Sequence, residues 1–168
     1  MNLDARRRTR AVARLLLIAL GVVVAACGDS THTGTGSGPE ASLPRDQVLA
    51  IVDRYIAAFN TRDREGYLSL FADGATVEDP LGSPPIQGVD RVGAFFDTAT
   101  ASGGLHLELE PNSVRISGKN VAFRFQLELA AGTSRFATKV VDVLALDADV
   151  KIVALVAYWH PSELMPVP

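Results

Sequence analysis

The hydrophobic period of this chain changes at Gly103-Gly104. Before that point apolar residues recur at helical spacing: Leu49, Val52, Ile56 and Phe59 form one stripe, and Val92, Phe95, Phe96 and Ala99 another. After it the period is two, with Phe123, Phe125, Leu127 and Leu129 alternating with Arg124, Gln126 and Glu128. Helices first, strands after, and hairpin-length connections between the strands restrict the chain to an α+β fold, a curved antiparallel sheet covered on one face by helices.

The spacing predicts a first helix over 44–60, with Pro44 suited to its first turn. A short second helix is expected over 63–71, N-capped by Asp63 and stopped before Gly74. Residues 75–78 read as a short strand. Residues 79–88, with three prolines and two glycines, read as a structured loop. A third helix fits 89–99. Strands are expected at 105–110, 114–117, about 123–129, 135–146 and 151–159. With 168 residues, 48% of them apolar, the chain suffices for one domain with a core and is short for two. The folded domain is placed at 44–162, with 163–168 as a C-terminal tail.

The N-terminus reads as an address. Five arginines stand between positions 6 and 14, and residues 15–26 follow without a charge. That run is shorter than the ~20 residues of a membrane-spanning helix. A positive flank, a short apolar run and small residues at its end describe a secretory signal. Val24-Ala25-Ala26-Cys27-Gly28 resembles the bacterial lipoprotein signal, which implies cleavage before Cys27, lipidation of its thiol, and an extracytoplasmic, membrane-anchored domain. Residues 27–43 then serve as a tether rich in Gly, Ser and Thr.

Charge and side-chain inventory narrow the function. Lys+Arg 16 against Asp+Glu 19 gives a net charge of −3, with no basic excess for a nucleic-acid partner. Cys27 is the single cysteine, so no intramolecular disulfide or thiolate metal cluster is expected. His32, His106 and His160 stand far apart, without ligand-like spacing. No metal, nucleotide or flavin site is expected.

Three ionisable residues stand out. Asp142 shares strand parity with Phe136, Thr138, Val140, Leu144 and Leu146, so it projects from a mostly apolar face. A carboxylate there must be paired with a cation, or take up a proton and become a hydrogen-bond donor. Tyr55 lies by the apolar stripe of the first helix, where a buried phenol needs a partner or serves as a donor. Asp79 ends a strand and opens the proline-rich loop, as a turn cap or as a proton shuttle at the lip of a cavity.

Together these residues resemble the steroid Δ-isomerase (ketosteroid isomerase) family of the nuclear-transport-factor-2-like superfamily. The resemblance is carried by Arg54-Tyr55-Ile56-Ala57-Ala58-Phe59-Asn60, by Val77-Glu78-Asp79-Pro80-Leu81-Gly82-Ser83 through Gly88, and by Val140-Val141-Asp142. It implies a cone-shaped roll, and roles for Tyr55 as oxyanion-hole donor, Asp79 as general base and Asp142 as protonated second donor. That neutral carboxylic acid is the family's property and enters through the resemblance, not through the residue pattern. Phe125 and Trp159 fall at aromatic wall positions, and Val140 and Leu144 are expected to add apolar wall. Positions where some family members carry further tyrosines hold Phe71 and Phe96. The implied reaction is allylic isomerisation of a steroid-like β,γ-unsaturated ketone, without cofactor. The alternatives are a binding module for an apolar ligand and a polyketide-cyclase or dehydratase type of enzyme. A homodimer is also implied, and the second face of the last strands (Val141, Val143, Val153, Leu155) is apolar enough to allow it.

Overall fold

The computed structural model describes residues 42–167. Cys27, the signal-like segment and nearly all of the tether lie outside the described residues. Helices α1 (Arg45–Thr61), α2 (Arg64–Leu68) and α3 (Val89–Thr100) are joined by strands β1 (Phe71–Glu78), β2 (Ile86–Gln87), β3 (Leu105–Leu109), β4 (Arg115–Ser117), β5 (Asn120–Ala131), β6 (Ser134–Leu146), β7 (Ile152–Tyr158) and β8 (Met165–Val167). The strands form one sheet in the order β2-β1-β7-β6-β5-β3, with β4 added to β5 and β8 added to β6. The α+β expectation holds.

The first helix buries Val48, Ile51, Val52, Tyr55, Ile56, Ala58 and Phe59 against the sheet. It ends where Arg62 turns left-handed, at φ 57°. Asn60 ties that end to β3: its side chain donates to the Leu107 carbonyl and accepts from the Leu107 N–H, both at 2.8 Å. Asp63 caps α2 by accepting from the Gly66 N–H at 2.8 Å, as its spacing predicts.

The second helix is shorter than expected. It stops at Leu68, and Phe71 and Gly74 belong to β1 rather than to a helix and its C-cap. Pairing with β7 begins at Phe71↔Ile152, so sheet contacts override the local helical reading. The β1–β7 pair is parallel, while the other pairs are antiparallel. The parallel pair brings the C-terminal ends of β1 and β7 to one level, with Glu78 beside Val156.

Two further differences come from strand pairing. Residues 163–168, expected as a tail, contain β8, which pairs Met165 with Ala137 and Pro166 with Phe136. The register of β7 shifts at Val153, because Ala145 pairs with Ala154 but Leu146 pairs with Ile152. One extra residue reverses side-chain parity on that stretch. Leu155 therefore faces the core at 2% exposure, while Val153 is exposed as expected at 37% and the outer row runs through Val141, Val143, Val156 and Tyr158.

Candidate active site

The parity argument for Asp142 is met. Along β6, Thr138, Val140, Asp142, Leu144 and Leu146 are buried, while the residues between them are more exposed. The Asp142 side chain is fully buried, and neither carboxyl oxygen has a hydrogen-bond partner of normal geometry. No cation pairs with it among the described residues. Burial pushes its pKa up to about 8; the approaching Tyr55 hydroxyl pulls the other way, and the negative charge of Asp79 adds to the rise. The hydroxyl thus acts on the carboxyl without completing the bond in this conformation.

Tyr55 is delivered by the buried face of α1. Its ring meets Phe123 edge-on at 5.7 Å, and Phe123 is the cross-strand partner of Asp142. Burial is the first cause that raises the Tyr55 pKa well above its usual value, followed by the charges of Asp142, Tyr67 and Asp79. The phenol therefore stays a donor at any working pH.

Asp79 follows β1 directly. The parallel register carries it to the level of Ala157, which pairs with Asp142. Its loop is fastened twice: the Gly82 N–H donates to Glu78 Oε1 at 2.6 Å, and the Leu81 N–H donates to the Ala157 carbonyl at 2.8 Å. Trp159 Nε1 donates to Asp79 Oδ1 at 2.6 Å. Burial raises the Asp79 pKa and the Trp159 bond opposes that rise. With Oδ1 occupied, Oδ2 is the oxygen left for proton transfer.

Tyr55 and Asp79 face one apolar cavity of about 320 Å³, walled also by Phe59, Phe125 and Trp159 together with leucines of β3 and β5. Tyr55, Asp79 and Trp159 supply the polar side-chain atoms of that wall. Asp142 lies behind it, next to the Tyr55 hydroxyl. Phe125 and Trp159 stand where wall residues were expected. Val140 and Leu144 do not: they are 2% and 0% exposed and belong to the core cluster instead of the cavity wall. No group of three or more His, Cys, Asp or Glu side chains is placed to hold a metal among the described residues.

One residue escaped the sequence reading. Tyr67 of α2 is fully buried and its hydroxyl has no partner among the described residues. Its ring stacks on Phe96 at 4.6 Å, tilts against Phe71 at 4.9 Å and lies 5.8 Å from Tyr55. Burial first, then the charges of Asp142 and Asp79, raise its pKa well above the usual value. It supplies a phenol between the two phenylalanines. The available signal was a tyrosine next to Leu68 and Leu70 on an otherwise polar short helix.

An α+β domain with a phenol and two carboxyl groups gathered at one end of an apolar cavity is a nuclear-transport-factor-2-like architecture. Residues 52–155 match the SnoaL-like domain family, and the chain belongs to it. It is 30% identical over 122 residues to the steroid Δ-isomerase of Nocardioides simplex, across 73% of this chain and 97% of that one. Among solved structures it resembles the epoxide hydrolase/cyclase-like enzyme SalBIII of pyran-ring formation in the polyether salinomycin (TM-score 0.66, 22% identity, 73% of this chain and 97% of that one). It also resembles Rv0760c of Mycobacterium tuberculosis (TM-score 0.65, 24% identity, 75% of this chain and all of that one). The two solved structures show the fold, and the isomerase relative supports an enzyme of this fold.

Proposed function

We propose that the domain isomerises a Δ5-3-ketosteroid or a similar β,γ-unsaturated ketone to its conjugated isomer. The observation that carries the reading is Asp142: a fully buried carboxyl, unpaired, with its pKa raised to about 8 beside the Tyr55 hydroxyl. At neutral pH it is largely protonated and serves as a donor. The Asp79 carboxylate removes a proton from the carbon between the carbonyl and the alkene. The resulting dienolate oxygen accepts hydrogen bonds from Tyr55 and from protonated Asp142. Asp79 then returns the same proton to the far carbon of the dienolate, and the double bond ends in conjugation with the carbonyl. Each such donor is worth ~3–4 kcal/mol in a dry site, and base catalysis contributes ~10²–10⁴-fold.

The apolar wall suits a steroid-like ligand, and the named isomerase relative supports the reaction. The lipoprotein-like sequence at Cys27 supports membrane anchoring outside the cytoplasm, and the apolar outer row of β6 and β7 supports a homodimer. The test is the enone absorbance formed from a Δ5-3-ketosteroid. Wild-type protein is expected to exceed Asp79→Asn by about 10²–10⁴-fold, the size of a lost general base. Equal rates discard the isomerase.

One observation favours a second reading, retention of an apolar ligand without turnover. The Asp142 carboxyl is fully buried and does not line the cavity, so a bound ligand meets the Tyr55 hydroxyl and not the carboxyl. Tight binding of a phenolic steroid with no enone formation would select this reading.

A further inference from the structure

The strand registers order the cavity along one axis. At one end Asp79, Ala157, Asp142 and Phe123 stand at a common level. Six residues farther along β5, Leu129 pairs with Phe136, and Phe136 pairs with Pro166 of β8. At ~3.4 Å per residue the two levels are about 20 Å apart. Between them the wall is a ladder of cross-strand leucines, Leu107 with Leu127 and Leu105 with Leu129.

Two pairs short of that level the chain that follows Trp159 joins the wall: by the pairing of Met165 with Ala137, Leu164 lies at the height of Thr138 and Leu127, about 14 Å from Asp142. Pro161 and Leu164 both line the cavity. That segment is held at each end. The His160 N–H donates to Glu163 Oε2 and the Ser162 N–H donates to His160 Nδ1, both at 3.2 Å, which closes a capping box around Pro161–Glu163. Beyond Leu164, β8 is bonded to β6. The next residue, Met165, is 61% exposed. The cavity-lining side chains at this level are hydrocarbon and half-exposed, so they offer the end of a ligand apolar contact and no hydrogen-bond partner.

We infer that residues 161–167 are the length gauge of the cavity: Leu164 receives the end of a rigid, elongated ketone opposite its reacting carbonyl, and selects ligands whose far end is apolar. The inference rests on the isomerase reading only for its orientation, with the carbonyl oxygen at Tyr55 and Asp142. A bicyclic ligand reaches the Tyr55 end without touching Leu164. A tetracyclic one spans the leucine ladder and ends against the strap.

Binding of 2-naphthol and of oestrone to the full chain, measured by calorimetry, tests this without turnover. Wild-type protein is expected to prefer oestrone. Leu164→Ala should weaken oestrone about five- to twenty-fold, the loss of a few methylene-sized contacts, and leave 2-naphthol unchanged. Met165→Ala, on the same strap but facing solvent, should move neither. The gauge is overturned if wild type shows no preference, if Leu164→Ala weakens both probes alike or neither, or if Met165→Ala copies it. Enone formation is measured in parallel: its absence with the binding pattern intact removes the isomerase and leaves the gauge.

Discussion

Trp159 Nε1 donates to Asp79 Oδ1 at 2.6 Å, linking the residue after the last core strand to the residue after the first. The bond favours the charged carboxylate and orients it. Trp159→Phe removes a contribution that lowers the pKa, so the pKa of Asp79 should rise. The acid limb of the kcat/KM profile should move to higher pH, with kcat reduced about ten-fold through lost orientation. An unmoved acid limb would show that the indole only packs.

Asp142 must be protonated to donate, and its pKa is raised to about 8. Activity should therefore fall as pH rises through about 8, the alkaline limb of a bell whose acid limb belongs to Asp79. Asp142→Asn keeps a neutral donor and should abolish that alkaline limb. Asp142→Leu removes the donor and should cost ~10²–10³-fold in kcat. A pH–rate series on the three proteins distinguishes these outcomes.

The same group governs stability. Unfolded, its carboxyl ionises at the ordinary 3.8; folded, it holds its proton to about 8. Between those values the native state binds more protons than the unfolded one, so stability is greatest below 3.8 and is lost as pH rises toward about 8. The slope is at most about 1.4 kcal/mol per pH unit from this one group. Urea midpoints for wild type should fall across that window, and those of Asp142→Asn should fall less.

Tyr67 buries a hydroxyl with no partner, which costs ~1–3 kcal/mol. Tyr67→Phe keeps the ring stacked on Phe96 and removes that cost, so the urea midpoint should rise by the equivalent of about 1 kcal/mol. A lower midpoint would mean that the phenol is bonded in solution.

Gly104, the residue before β3, lies close against the backbone of β5. Its carbonyl accepts from the Ala130 N–H at 2.8 Å, and a side-chain carbon there would lie 2.2 Å from the Ala130 carbonyl oxygen. Gly104→Ala should destabilise the domain by about 1–3 kcal/mol, read by thermal melting, because backbone must move to admit it.

Much of this architecture is legible residue by residue. Period 3.6 before Gly103-Gly104 and period two after it give the layers, and parity along 136–146 puts Asp142 on the buried face. Asp63 as a cap follows from its local chemistry. The extent of α2, the parity of β7 and the strand at 165–167 were not legible, since each depends on a partner strand distant in sequence. Tyr67 was passed over because a tyrosine on a short helix looks the same whether its hydroxyl meets water or core.

The sequence by itself determined the order of helices and strands and, where one period runs unbroken as along 136–146, which face of an element is buried, because side-chain direction follows from local backbone period. Only the tertiary structure decided which of them meet. The parallel pairing of β1 with β7 sets Asp79 level with Asp142, and the α1 packing angle sets Tyr55 rather than Val140 or Leu144 against the cavity. Register and helix docking are fixed by the summed packing of distant segments, and no local pattern encodes that sum.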